Sequence, residues 1–187
     1  MNEEKFIRYM REYIANIAIG PTTLRNQGKL VTKKARNFLI KEKTVDLSIF
    51  RKIKPSQYPK QLDRWTDLLR KKKIKWGTAR KALNLFMIQA FMNKYLAKKY
   101  GMNKFRNVLE TPLDSQASKF LRKKAEEAGR DKLPRWKGIK GLKQEDSACY
   151  QEFASDFSKR EGIPRACLDI LIWRQNMKNK KKSRRKK

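Results

Sequence analysis

Apolar residues along this chain return every three or four positions, and no stretch longer than a few residues alternates with period two. That pattern predicts helices throughout. From Asn2 to Ile19, the residues Phe6, Met10, Tyr13, Ile14 and Ile17 fall on one stripe, and Gly20-Pro21 ends the helix. A polar loop, 22–28, follows, and helix resumes near Leu30 with Ala35, Phe38 and Leu39 turned inward. Asp46 is placed to cap a short helix carrying Leu47, Ile49, Phe50 and Ile53. Beyond Pro55 and Pro59 an amphipathic segment sets Leu62, Trp65, Leu68 and Leu69 along one side and ends in the basic run 70–75.

Gly77-Thr78 opens the longest predicted helix, which runs to about Tyr100 with Gly101 as its stop. Its middle, Ala82 to Met92, has almost no polar face, so it is expected to be a central helix covered on several sides. Asp114 or Ser115 caps a helix through Ala117, Phe120, Leu121 and Ala125 toward Gly129, and a turn-rich passage follows from Leu133 to Leu142. Asp146 or Ser147 caps a helix to about Arg160. Gly162-Ile163-Pro164 breaks it, and a last helix runs from about Arg165 to Met177. The expected fold is all-α: a compact multi-helix domain over 1–177 with a central buried helix, divisible into lobes 1–110 and 111–177. A disordered basic tail, 178–187, completes the chain.

Charge then points to a partner. The 187 residues carry 49 Lys plus Arg against 18 Asp plus Glu, a formal net charge of +31. Eight of the basic residues lie in the tail, which leaves +23 on the helical body, so the excess is not confined to the tail. That is the electrostatic footprint of a nucleic-acid-binding surface, with DNA expected before RNA. Four Trp, six Tyr and nine Phe supply a real core. No apolar run reaches the ~18 residues of a membrane span, and the N-terminus lacks the layout of a signal peptide. A cytoplasmic, nucleoid-associated monomer is expected. Two cysteines make no disulfide framework.

Histidine is absent, which excludes Cys/His zinc sites and Ser-His or Cys-His nucleophile pairs. Chemistry must rest on Asp, Glu, Lys or Tyr, and no metal or cofactor is expected. The turn Gly138-Ile139-Lys140-Gly141, flanked by Trp136 and Lys137, is suited to present backbone N–H groups to a phosphate. After the helix that follows comes Cys167-Leu-Asp169-Ile-Leu-Ile-Trp173, where an acid stands among apolar residues. Such a carboxylate either finds partners or lines a pocket.

This order of hairpin, helix and aspartate resembles the helix-hairpin-helix superfamily of DNA glycosylases over about the last fifty residues. Asp169 with Trp173 looks most like the aspartate segment of the 8-oxoguanine glycosylase branch. The resemblance implies a base-flipping, base-excising hydrolase in which Asp169 stabilises the positive charge that develops on the sugar. No lysine stands where bifunctional members carry a Schiff-base amine. Tyr150 falls near that place, and Lys143 is the other possible helper.

Further nucleic-acid contacts are expected from the loop residues Arg25, Asn26 and Gln27, since Asn and Gln read base edges and Arg clamps phosphate. The basic stretch Lys71, Lys72, Lys73, Lys75 and Arg80 is expected to add phosphate contacts. Trp76 and Trp136, set among lysines beside glycines, are expected to stack on bases. Plainer readings stand beside these: Asp169 as a helix cap or a partner of Arg165 or Arg174, and Trp173, Trp65 and Phe86 as core. A non-catalytic DNA- or RNA-binding module, of a phage or chromosome-associated kind, is the alternative function. The region Trp65 to Tyr100 is loosely similar to the helical arm-binding part of tyrosine recombinases. A metal-dependent nuclease, built on Glu110 and Asp114 near Lys119, is the third reading.

Overall fold

The computed structural model describes residues 2–20, 23–24, 27–41 and 43–175. Among them the chain is all-α, with no strand. The helices are α1 (Glu3–Ala18), α2 (Lys29–Ile40), α3 (Ile49–Lys52), α4 (Tyr58–Arg70) and α5 (Trp76–Met92). They continue with α6 (Lys94–Tyr100), α7 (Ser115–Glu127), α8 (Gln144–Arg160) and α9 (168–175). No helix among the described residues is long and apolar enough to cross a membrane. The basic tail, 178–187, lies outside them.

Two apolar cores share the chain. The first gathers α1 to α6 around α5, whose Ala82, Leu83, Phe86, Met87, Ile88 and Ala90 are all buried, so α5 is the central helix that its composition predicts. Phe50, Tyr58 and Phe105 interlock beneath it, with Phe50 meeting Phe105 edge to face at 4.7 Å. The second core joins α7, α8 and α9 through Leu121, Tyr150, Phe153, Phe157, Leu168 and Ile172.

Three local expectations are corrected. The buried face of α1 is Ile7, Arg11, Ile14, Ala15 and Ala18, while Tyr13 is 60% and Ile17 44% exposed. The helix is turned because Arg11 goes inward. Its guanidinium donates to the carbonyls of Ile40 (2.8 Å), Lys41 (3.4 Å) and Val45 (2.5 Å), satisfying the end of α2 that has no helical partners. The single long helix expected from Gly77 to Tyr100 is two, divided at Asn93, whose side chain accepts from the Leu96 amide at 3.0 Å and starts α6 afresh. Finally, α8 begins at Gln144 after Lys143, so Asp146 sits within the first turn instead of capping it.

An extended strap, 108–114, passes between the cores and is pinned from both sides. From the first core, Arg80 donates Nε to Glu110 at 2.8 Å and a terminal nitrogen to the other Glu110 oxygen at 2.7 Å. Its remaining terminal nitrogen reaches Asp63 at 2.6 Å and Thr66 at 3.1 Å. Asn84 adds a bond to Glu110 at 3.0 Å. From the second core, Arg165 donates to the carbonyls of Val108 (2.7 Å), Leu109 (3.0 Å) and Gln151 (3.2 Å). Gln151 and Thr111 exchange two further bonds, at 3.1 and 2.7 Å. Burial alone would raise the pKa of Glu110, yet the Arg80 guanidinium and the Asn84 amide hold it below the usual carboxylate range.

Candidate functional site

The strap delivers Asp114 to the start of α7, and there a cleft of about 190 Å³ opens between the two cores. Its walls are Lys81 and Leu85 of α5, Asp114 and Gln116 at the start of α7, Asp169, Ile172 and Trp173 of α9, and Thr23. Helical spacing explains the grouping: Lys81 and Leu85 stand one turn apart, as do Asp169, Ile172 and Trp173.

Asp114 serves two purposes. One oxygen accepts from the amides of Gln116 and Ala117, both at 2.9 Å, making the expected cap of α7. The other accepts from Lys81 Nζ at 3.1 Å. Asp169 has no hydrogen bond or ion pair among the described residues. Its pKa is raised above the ordinary aspartate value, first by burial and then by the negative charge of Asp114, with Lys81 opposing. Among the described residues Asp169 caps no helix and pairs with neither Arg165 nor Arg174, and Arg165 is engaged by three carbonyls of the strap and α8.

Trp173 is 63% exposed at the cleft, so it is not the core residue that its apolar surroundings suggest. Trp65 and Phe86, in contrast, are fully interior. The two tryptophans expected to stack on bases are half-buried at the edge of the second core. Trp76 carries the Arg80 guanidinium 5.5 Å from its ring centre, and Trp136 meets Tyr150 edge-on at 6.2 Å. Arg80, expected on the phosphate-binding surface, is buried and held by Glu110, Asp63 and Thr66. Local periodicity cannot foresee this, because its carboxylate partners lie 17 and 30 residues away.

The helper positions also move. Tyr150 is buried and donates its hydroxyl to the Pro134 carbonyl at 2.6 Å, while Lys143 is exposed ahead of α8. Neither lines the cleft. The lysine that the fold brings beside Asp169 is Lys81. A signal for it does exist in the sequence: Arg80 and Lys81 are the only charged residues of α5, and Glu110 and Asp114 stand four apart in the strap that receives them. These two carboxylates, read together as a metal-binding pair, are thus each occupied by a different cation. No group of three or more potential metal ligands forms among the described residues.

Of the remaining sequence-derived positions, Lys71, Lys72, Lys73 and Lys75 are exposed between α4 and α5, and Lys137 and Lys140 are exposed around the glycine turn. That turn, Ile139–Gly141, closes on itself through the Gly141 amide and the Gly138 carbonyl (3.1 Å), and it docks on the first turn of α5. The approach is so close at Gly77 that a Cβ there would stand 2.3 Å from the Ile139 carbonyl oxygen. Gln27 accepts from the Thr78 hydroxyl at 3.0 Å, tying the loop before α2 to α5. Arg25 and Asn26 lie outside the described residues. Comparison of the chain with protein-family models, with curated proteins and with solved structures gives no match.

Proposed function

We propose that the protein binds nucleic acid, DNA before RNA, and that the cleft between its cores receives an everted nucleotide whose base is excised. The observation that carries the reading is Asp169: a carboxylate with no hydrogen-bond or ion-pair partner among the described residues, in a cleft beside a lysine and an exposed tryptophan, on a chain of charge +31. A half-buried carboxylate with no partner among the described residues is costly to keep, so its presence calls for a use. Cationic helices supply the phosphate attraction, and Trp173 supplies a face for the extruded base. Lys81 and Gln116 offer hydrogen-bond groups to its edge. As the glycosidic C–N bond lengthens, ionised Asp169 opposes the positive charge forming on the sugar. Water then bonds to the sugar carbon, and the base leaves with a proton.

The test is incubation with duplexes that each carry one modified base, followed by alkaline cleavage of abasic sites. Product is expected from the intact chain and none from Asp169→Asn. Stability separates function from architecture in the same variant. Because Asp169 has a raised folded pKa, its ionisation costs stability as pH rises through that pKa, so Asp169→Asn is expected to melt higher at neutral pH. A variant that melts lower, or one that retains full excision, refutes the assignment. A chain that binds duplex yet releases no base from any of them belongs to the non-catalytic reading.

A further inference from the structure

We infer that a second cleft, between α2 and the turn after α4, is a phosphate site that grips a nucleic-acid strand. The inference rests in part on the nucleic-acid reading above, but not on base excision. The cleft has a volume of about 190 Å³ and is lined by Lys34, Asn37, Phe38, Lys41, Thr44 and Lys72. It shares no residue with the Asp169 cleft.

Three cations, two from α2 and its C-cap and one from the turn after α4, converge there, no acid lines the wall, and among the described residues none of the three has a carboxylate partner. Phe38 supplies an apolar floor. Lysines left to themselves would separate, and compact clustering of like charge calls for an anion. The end of α2 would ordinarily oppose one, since a helix C-terminus is the negative end of its dipole. Here Arg11, buried beneath, already binds the carbonyls of Ile40 and Lys41, so the end facing the cleft is neutralised from inside.

Backbone geometry adds an independent observation. Lys73 holds φ +64°, a left-handed conformation that glycine usually occupies. The turn it makes places Lys72 on the cleft wall, and the Lys72 carbonyl lies 3.5 Å from Lys34 Nζ. Strain retained on a cationic turn is expected where the turn serves a ligand. Along the chain, Lys72 and Lys81 are four extended and five helical Cα steps apart, so at most roughly 22 Å divides their Cα atoms. At about 3.4 Å per nucleotide, a strand of roughly six nucleotides reaches from this cleft to the cleft of Asp169.

The experiment compares the intact chain with the triple variant Lys34→Gln, Lys41→Gln, Lys72→Gln. A control triple changes Lys52, Lys60 and Lys98, exposed lysines outside both clefts, to Gln. Inorganic phosphate is titrated first, followed by amide NMR, and saturable shifts are expected around residues 34–44 and 72, absent from the cleft triple. Affinity for a short oligonucleotide is then measured against salt. Every phosphate that the protein ceases to neutralise lowers the log–log slope by about 0.7 on a single strand, so the slope of the cleft triple falls by that much or more while the control falls by less. Strands with and without a 5′-phosphate distinguish a terminal group from the internal backbone. Phosphate shifts spread evenly over exposed lysines, or equal slopes for the two triples, overturn the inference. Saturable phosphate binding by a chain that ignores oligonucleotides keeps the cleft and discards the nucleic-acid reading.

Discussion

Replacing Arg80 with Met tests how the two cores are joined. The guanidinium makes two bonds to Glu110, one to Asp63 and one to Thr66, all shielded from water on the arginine side. Methionine fills part of the volume but leaves Glu110 buried with only the Asn84 amide as a hydrogen-bond partner. Breaking a buried ion pair from one side costs about 3–5 kcal/mol, because the remaining charge is uncompensated. At ~2–4 °C per kcal/mol for a chain of this size, the midpoint should fall by roughly 6–20 °C. Adding Glu110→Gln removes the stranded charge and should recover more than half of the loss. The pH dependence is distinctive. In the parent, Glu110 has a lowered folded pKa, so its contribution is present above the unfolded value and disappears as pH falls through the folded one. In Arg80→Met, burial acts on Glu110 without its guanidinium and raises the folded pKa, so stability is lost as pH rises. The gap between the two proteins should therefore be widest near neutrality and close on acidification. Urea melts between pH 3 and 8 measure it. A loss under about 1 kcal/mol at neutral pH, or a double variant no better than the single, refutes the pinned strap.

Gly77→Ala would normally gain about 1 kcal/mol of helix propensity, but its Cβ would meet the Ile139 carbonyl at 2.3 Å and Leu142 Cβ at 2.8 Å. Since backbone must move, overpacking of ~1–3 kcal/mol prevails and the urea midpoint should drop; a rise would show that the glycine turn is not docked on α5. Trp173→Ala removes a side chain that is mostly in solvent, so the melting temperature should hardly change while excision falls by about tenfold or more, the value of ~1–3 kcal/mol of stacking. A melting loss with unchanged activity would make Trp173 structural. Excision should require ionised Asp169, giving an acid limb above the ordinary aspartate value, which Lys81→Gln moves upward and Asp114→Asn downward. A limb that neither substitution moves would remove Asp169 from the pH profile.

The helices are legible in the sequence because apolar spacing and punctuation act locally. Gly101 takes φ +65° at the end of α6, Asp114 caps α7, and Ala35, Phe38 and Leu39 face inward on α2, all as the pattern implies. What the pattern misplaces are cations that go inside. Arg80 reads as a surface residue and Arg11 falls outside the apolar stripe because hydropathy assigns charge to water, yet each buries its guanidinium against oxygens distant in sequence. Trp76 and Trp136 are less open than their lysine neighbours along the chain imply, because both pack partly against the second core. Asp169 stands out because an acid between apolar residues is anomalous at short range. For Lys81 and Asp114 the sequence marks the charges but not their place beside Asp169, because only the strap brings them together.

The placement of acids follows one electrostatic logic. In a chain with 49 cations and 18 acids, a carboxylate in open water needs no special explanation, since the surrounding field favours it. Glu110 and Asp114 are drawn inward to single cations, where they fix the strap and the start of α7. Asp169 has the same opportunity, with Lys81 across the cleft, but Lys81 is bound to Asp114 instead. The arrangement keeps one carboxylate close to positive charge without neutralising it, at the wall of a space that phosphate-bearing strands would approach through a cationic surface. A transient cation at that wall would find a countercharge close by, which is what the proposed excision of a base would require.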